Sequence, residues 1–221
     1  MKKYDLVIFD CDGTLVDSEL LNNSVTADMI AENGLPQYDT QYCLDHFAGI
    51  TLTNIIKLLE DRHDVRFPAD TVAVARQRVK ERMAAELRTV PHAVETVREI
   101  AAHHKICVAS NGERGSVLQS LELAGLSLLL PEPVVFTANM VKHPKPAPDL
   151  FLLAAEKMGA APERCLVVED SKFGLLGAVT AGMDVLGIVG LHHHPEAQAR
   201  TLTETGATAI IRHLPEILDY L

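Results

Sequence analysis

The sequence predicts an α/β protein: a doubly wound parallel sheet covered by helices, with an all-helical segment inserted after the first strand. Three observations lead there. Four short runs are apolar at every position rather than at alternate ones, the pattern of strands buried on both faces. Helical periodicity fills most of the gaps between them. The stretch from about residue 17 to about 87 carries helical periodicity alone.

The elements follow in chain order. Leu6-Val7-Ile8-Phe9 reads as the first strand. Leu21, Val25 and Met29, then Leu52, Ile55, Ile56 and Leu59, then Ala75, Val79, Met83 and Leu87 recur at helical spacing. They predict a helical domain over 17–87, set into a core domain of 1–16 and 88–221. The chain is expected to cross between them near Thr14–Asp17 and Arg88–Pro91. Beyond the insert, Val94, Val97, Ile100 and Ala101 form an apolar stripe, followed by a strand at Ile106-Cys107-Val108-Ala109. Val117, Leu121 and Ala124 predict a helix stopped by Gly125. Leu150, Leu153, Ala154 and Met158 predict another, stopped by Gly159. Further strands are expected at Val134–Phe136, Cys165–Val168, Val185–Val189 and Ala209–Ile211.

Composition removes several classes of function. The chain has 221 residues, 48% apolar and 23% charged, an ordinary globular balance. Its formal charge of −10 argues against nucleic acid as a partner. No apolar run approaches the roughly 20 residues of a bilayer span, and Leu6–Phe9 is too short for a signal-peptide core. A cytoplasmic protein with no membrane partner is expected. Cys11, Cys43, Cys107 and Cys165 lie far apart with no C-x-x-C, so they read as packed thiols rather than zinc ligands or disulfides. His192–His194 reads as a solvated loop, and His46 and His63 as surface residues.

The chemistry follows the strands. After Phe9 comes Asp10-Cys11-Asp12-Gly13-Thr14, after Ala109 comes Ser110-Asn111-Gly112, and after Val168 comes Glu169-Asp170-Ser171. Ligands of open α/β sheets bind beyond the carboxyl ends of the strands, so three strands deliver polar groups to one edge. Asp10, Asp12, Glu169 and Asp170 crowd negative charge there, and carboxylates so placed raise each other's pKa unless a cation joins them. Hard oxygen ligands suit Mg²⁺. Ser110, with backbone amides after it, suits phosphate oxygens. Pro144 and Pro146 restrict the backbone around Lys145, which lowers the ordering cost of using its charge. A divalent cation and an ammonium around a phosphate are what phosphoryl transfer requires.

The segment Asp10-Cys11-Asp12-Gly13-Thr14-Leu15-Val16-Asp17-Ser18 resembles the first motif of the haloacid dehalogenase superfamily. Ser110-Asn111 resembles the second, Lys145 in Lys-Pro-Ala-Pro-Asp the third, and Val168-Glu169-Asp170-Ser171 the fourth. All four occur in the family's order, and the likeness covers essentially the whole chain. The insert resembles the C1-type helical cap of the β-phosphoglucomutase-like subfamily. The resemblance implies a Rossmann-like core and a Mg²⁺-dependent phosphatase. Its substrate would be a small phosphorylated metabolite, a sugar or sugar-acid phosphate, hydrolysed through an aspartyl phosphate.

By that resemblance Asp10 is the nucleophile, and Asp12 the acid for the leaving group and then the base for water. Mg²⁺ is held by Asp10, the backbone carbonyl of Asp12 and Asp170, with Glu169 supporting. Ser110 and the Asn111 amide hold the phosphate, and Lys145 neutralises Asp10 and the transferring oxygens. Asp12 argues against dehalogenases and phosphonatases, which lack an acid there. Asn22 and Leu52 stand where β-phosphoglucomutase has His and Arg, so hydrolysis is favoured over the alternative, a phosphomutase. Phe47-Ala48-Gly49-Ile50 is similar to the cap of bacterial sugar-phosphate phosphatases and makes Gly49 and Ile50 expected substrate contacts. A monomer or weak homodimer is expected, its cap closing to exclude bulk water. A phosphorylatable signalling receiver gathers similar groups, but receivers have no helical insert and carry the acceptor Asp after a later strand.

Overall fold

The computed structural model describes residues 3–47 and 50–221. The chain divides into two units, Met1–Asp17 with Arg88–Leu221, and Ser18–Leu87. The strands are β1 (Leu6–Phe9), β2 (Val16–Asp17), β3 (Arg88–Thr89), β4 (Lys105–Ser110), β5 (Val135–Thr137), β6 (Cys165–Glu169), β7 (Asp184–Ile188) and β8 (Ala209–Ile211). Six form one parallel sheet in the order β5-β4-β1-β6-β7-β8. Phe9 pairs with both Val108 and Val168, so β1, β4 and β6 end almost level. The Asp10 amide still donates to the Val168 carbonyl at 2.9 Å, extending that register one residue past β1. Asp10, Ser110 and Glu169 therefore share one sheet edge.

β2 and β3 pair antiparallel, Val16 with Thr89 and Asp17 with Arg88, where the chain leaves the sheet-bearing unit and returns. The sequence reading does not anticipate them, because two residues are too few to show alternation.

The helical unit contains α1 (Glu19–Glu32), α2 (Thr40–His46), α3 (Leu52–Arg62) and α4 (Thr71–Glu86). Leu21, Val25 and Met29 of α1 pack with Ala75 and Met83 of α4. Outside that seam Arg82 pairs with Asp28 and Glu86, and Arg78 with Glu32. A second cluster gathers Ile30, Tyr38, Cys43, Phe47, Ile55 and Leu59. His63, expected at the surface, is half-buried and hydrogen-bonded to the Tyr38 hydroxyl at 2.7 Å, because the chain after α3 turns it onto this aromatic cluster. α2 is unanticipated. Asp39 starts it by accepting from the Tyr42 amide at 2.8 Å.

The sheet is covered by α5 (Ala93–Ala101), α6 (Arg114–Leu123), α7 (Asp149–Met158), α8 (Lys172–Thr180) and α9 (Pro195–Thr205). Leu6, Ile8, Cys107 and Val167 pack with Phe151, Ala154, Leu175 and Leu202. The alternate residues Val7, Phe9, Ile106 and Val108 are buried as well, which is why these strands carry unbroken apolar runs. α7 ends at Gly159 as expected. α8 and α9 are unanticipated: α8 is apolar on nearly all sides, and α9 buries only Leu202. The four cysteines are buried thiols. Among the described residues no helix is long and apolar enough to cross a membrane.

Candidate active site

Lys145 is the centre of the site. Its backbone is clasped by Asn111, whose carboxamide donates to the Lys145 carbonyl at 2.9 Å and accepts from the Lys145 amide at 3.1 Å. Its Nζ lies 2.6 Å from Asp10 Oδ1 and 2.7 Å from Glu169 Oε2, and 5.0 Å from the centre of the Phe151 ring. All three charged side chains are buried, with 4% of Lys145, 10% of Asp10 and 1% of Glu169 exposed. Ions this far from water persist only when paired and hydrogen-bonded. Glu169 is fully engaged, since Oε1 accepts from the Ser171 amide at 3.0 Å and hydroxyl at 2.7 Å.

Charge is unbalanced here. Oxygens of Asp10, Glu169 and Asp170 lie within 4.8 Å of one another, and among the described residues the ammonium of Lys145 alone pairs with them. Burial pushes the Asp10 carboxyl up to about 7, and Glu169 pushes in the same direction against Lys145. Burial, then Glu169 and Asp10, hold Asp170 well above the usual carboxylate range. Burial works against the Lys145 ammonium, but Asp10 and Glu169 outweigh it and raise its pKa. A site whose burial and crowded negative charge raise its carboxyl pKa values fits a small divalent cation with hard oxygen ligands. With both Glu169 oxygens committed to Lys145 and Ser171, Asp10 and Asp170 are the carboxylates left for direct ligation. Gly13 closes this side of the cluster. It has φ +80°, and a Cβ there would stand 2.1 Å from Asp170 Oδ2.

Asp12 is exposed, unlike Asp10. The point where a Cβ on Gly112 would stand is 3.2 Å from Ser110 Oγ and 3.8 Å from Asp12 Oδ2. The Asp12 carboxylate and the Ser110 hydroxyl thus flank one turn. Ser110 is buried and accepts from the Gly112 amide at 3.0 Å. The core residues expected from sequence (Asp10, Asp12, Ser110, Asn111, Lys145, Glu169 and Asp170) all belong to the sheet-bearing unit. Asn111 adds a task the sequence did not suggest, since its side chain locks Lys145. Of the expected contacts in the helical unit, Ile50 is exposed and Gly49 lies outside the described residues. Asn22 is exposed, and Leu52 packs on the Leu21–Val25–Met29 cluster.

Sequence reasoning passes over three contributors. Ser171 binds Glu169 and also caps α8, accepting from the Gly174 amide at 3.1 Å. It stands inside the fourth motif, where its position beside two acids was the available signal. Gly13 is in the first motif, but its role depends on Asp170, far away in sequence. Gln198 of α9 donates to the Asp170 carbonyl, and no local pattern points to it.

Residues 7–188 match a family model described as haloacid dehalogenase-like hydrolase. The chain is 32% identical over 190 residues to a fructose-1-phosphate phosphatase of Escherichia coli, covering 85% of this chain and 97% of that protein. It is 30% identical over 220 residues to the 6-phosphogluconate phosphatase of the same organism, covering 98% and 96%. A solved haloacid dehalogenase-like protein of unknown function from Agrobacterium tumefaciens superposes with a TM-score of 0.87 at 30% identity, over 98% of this chain and 97% of that one. A haloacid dehalogenase family hydrolase from Deinococcus radiodurans, solved with bound phosphate and sodium, gives 0.83 at 33% identity, over 97% and 93%.

Proposed function

The chain belongs to the haloacid dehalogenase-like hydrolase family and is a phosphoric monoester hydrolase, and from that footing we propose that it releases inorganic phosphate from a small phosphorylated carbohydrate, a sugar or sugar-acid phosphate, with Mg²⁺ as cofactor. The observation that carries this reading is Lys145 held between Asp10 and Glu169 beside Asp170, in a buried cluster short of positive charge. The carbohydrate is supported by the two Escherichia coli relatives, whose substrates are a ketose phosphate and a sugar-acid phosphate.

In the proposed reaction an Asp10 carboxylate oxygen attacks phosphorus, and the bond from phosphorus to the sugar oxygen breaks. Asp12 gives that oxygen its proton. The phosphoryl group then rests on Asp10 as an aspartyl phosphate. Asp12, now a carboxylate, takes a proton from a water that attacks phosphorus and frees Asp10. Its exposure suits a group that trades protons first with a leaving group and then with water. Lys145 offsets charge on Asp10 and on the transferring oxygens, and the Ser110 hydroxyl and Asn111 amide bind the other oxygens. Asp10, the Asp12 carbonyl and Asp170 would hold Mg²⁺, while Glu169 supports through Lys145. Bound Mg²⁺ would supply the missing positive charge and keep Asp10 and Asp170 ionised.

Choice among sugars is assigned to the helical unit, residues 18–87. Asn22 and Leu52 offer neither the imidazole nor the guanidinium of a phosphomutase. The test is phosphate release from a panel of sugar and sugar-acid phosphates, with Mg²⁺ and with chelator. Magnesium-dependent release from at least one carbohydrate phosphate is expected. Release that survives chelation, or conversion of a hexose 1-phosphate to its 6-phosphate without release, would overturn the proposal.

A further inference from the structure

We propose that Gln198 is a positioning residue for the metal site: its carboxamide holds the main-chain carbonyl of Asp170 and so fixes where the Asp170 carboxylate stands. The inference rests on the preceding reading of Asp170 as a metal ligand.

Asp170 falls between Glu169, the last residue of β6, and Ser171, the N-cap of α8. Neither the sheet ladder nor the helix dictates its conformation. Two contacts from elsewhere grip it. Gly13 lies against its carboxylate, close enough that a Cβ would overlap Oδ2. Gln198, in the first turn of α9 and half-buried, donates from Nε2 to its carbonyl across 28 positions of sequence. The carboxylate is thus restrained on its side-chain face by one element and on its main-chain face by another.

The frame behind Gln198 is firm. Leu202 of α9 is fully buried in the core under the sheet. Glu196 pairs with Arg212, just beyond β8. The backbone of Gly190, which leads from β7 toward α9, lies against the Arg212 carbonyl. α9 is therefore fixed independently of Asp170, and the hydrogen bond transmits its position to the loop.

The residue type fits the task. A carboxamide donates without charge, whereas a glutamate of the same shape would bring another anion toward a cluster already rich in carboxylates and could not donate when ionised. Outer partners that orient metal ligands typically change metal affinity about 10–100-fold when removed.

The experiment is calorimetric titration of the metal-free protein with Mg²⁺ alone, without substrate. Native protein is compared with Gln198→Ala, Gln198→Met and Glu196→Gln. The last breaks the Arg212 pair on the same helix and leaves the Asp170 carbonyl untouched. Gln198→Ala and Gln198→Met are expected to weaken Mg²⁺ about tenfold or more, while Glu196→Gln binds as the native protein does. If Gln198→Ala does not fold, Gln198→Met, which keeps the length of the side chain but cannot donate, carries the comparison. Native-like binding by the Gln198 variants would overturn the inference and leave the proposed function standing. Equal weakening by Glu196→Gln would also overturn it, because helix docking rather than the carboxamide would then be responsible. No Mg²⁺ binding by the native protein would remove the metal reading itself.

Discussion

Lys145 neutralises two buried carboxylates with one ammonium, so its removal uncovers more charge than it takes away. Lys145→Met preserves bulk but leaves Asp10 and Glu169 facing each other. Breaking a buried pair in this way costs about 3–5 kcal/mol. The variant is expected to lose that much stability in denaturant titration and to lose phosphate release by about 10²–10³-fold. Retention of both would contradict the role given to Lys145. A second residue tests backbone strain rather than charge. His92, at the N-terminus of α5, has φ 64°, a left-handed conformation that disfavours any residue with a Cβ. His92→Gly removes that cost of about 1–2 kcal/mol, part of which the greater freedom of an unfolded glycine offsets. A melting temperature about 1–3 °C above native is expected; a lower one would show that the imidazole is needed in place.

At the scale of elements, the strand-to-helix connections carry the site, and the one after β7 runs directly against backbone. A Cβ at Gly190 would stand 1.9 Å from the Arg212 carbonyl, a backbone atom that cannot swing aside. Gly190→Ala is expected to separate the ends of β7 and β8 and lower the melting temperature by about 5 °C or more, corresponding to about 2 kcal/mol. An unchanged melting temperature would mean this crossing is loose. The same scale explains what could be read from sequence. β1, β4, β6 and β7 announce themselves because each has an unbroken apolar run buried on both faces. β2 and β3 cannot, being two residues each. α8 is too uniformly apolar to show a face, and α9 too polar. The acids, Ser110 and Lys145 are legible because each follows a readable strand or is framed by prolines. Gln198 is not, because its meaning lies in a contact with Asp170 that exists only after the sheet has formed.

Across the whole molecule, formal charge is −10, and the site gathers part of it in a buried place. The folded-state pKa values of Asp10 and Asp170 lie above those of unfolded carboxyls near about 3.9. Folding therefore binds these protons more tightly, and metal-free stability falls as pH rises above about 4, for Asp10 through about 7. Asp170→Asn removes one of the titrating groups. In chelator, its melting temperature is expected to exceed the native value at pH 8 by a margin that shrinks as pH falls to 5. Mg²⁺ at about a hundredfold over its Kd adds about 2.7 kcal/mol to the native protein by mass action, about 5–10 °C, and is expected to add far less to Asp170→Asn. Parallel pH curves for the two proteins, or equal Mg²⁺ shifts, would contradict this charge balance.

The account turns on Asp10 as the atom donor to phosphorus. The direct measurement is the rate of phosphate release by Asp10→Asn, on a carbohydrate phosphate that the native protein hydrolyses and at saturating Mg²⁺. The carboxamide keeps the shape but not the nucleophile, and loss of turnover by about 10⁴-fold or more is predicted. A variant that releases phosphate within tenfold of the native rate would show that phosphorus is attacked by something else.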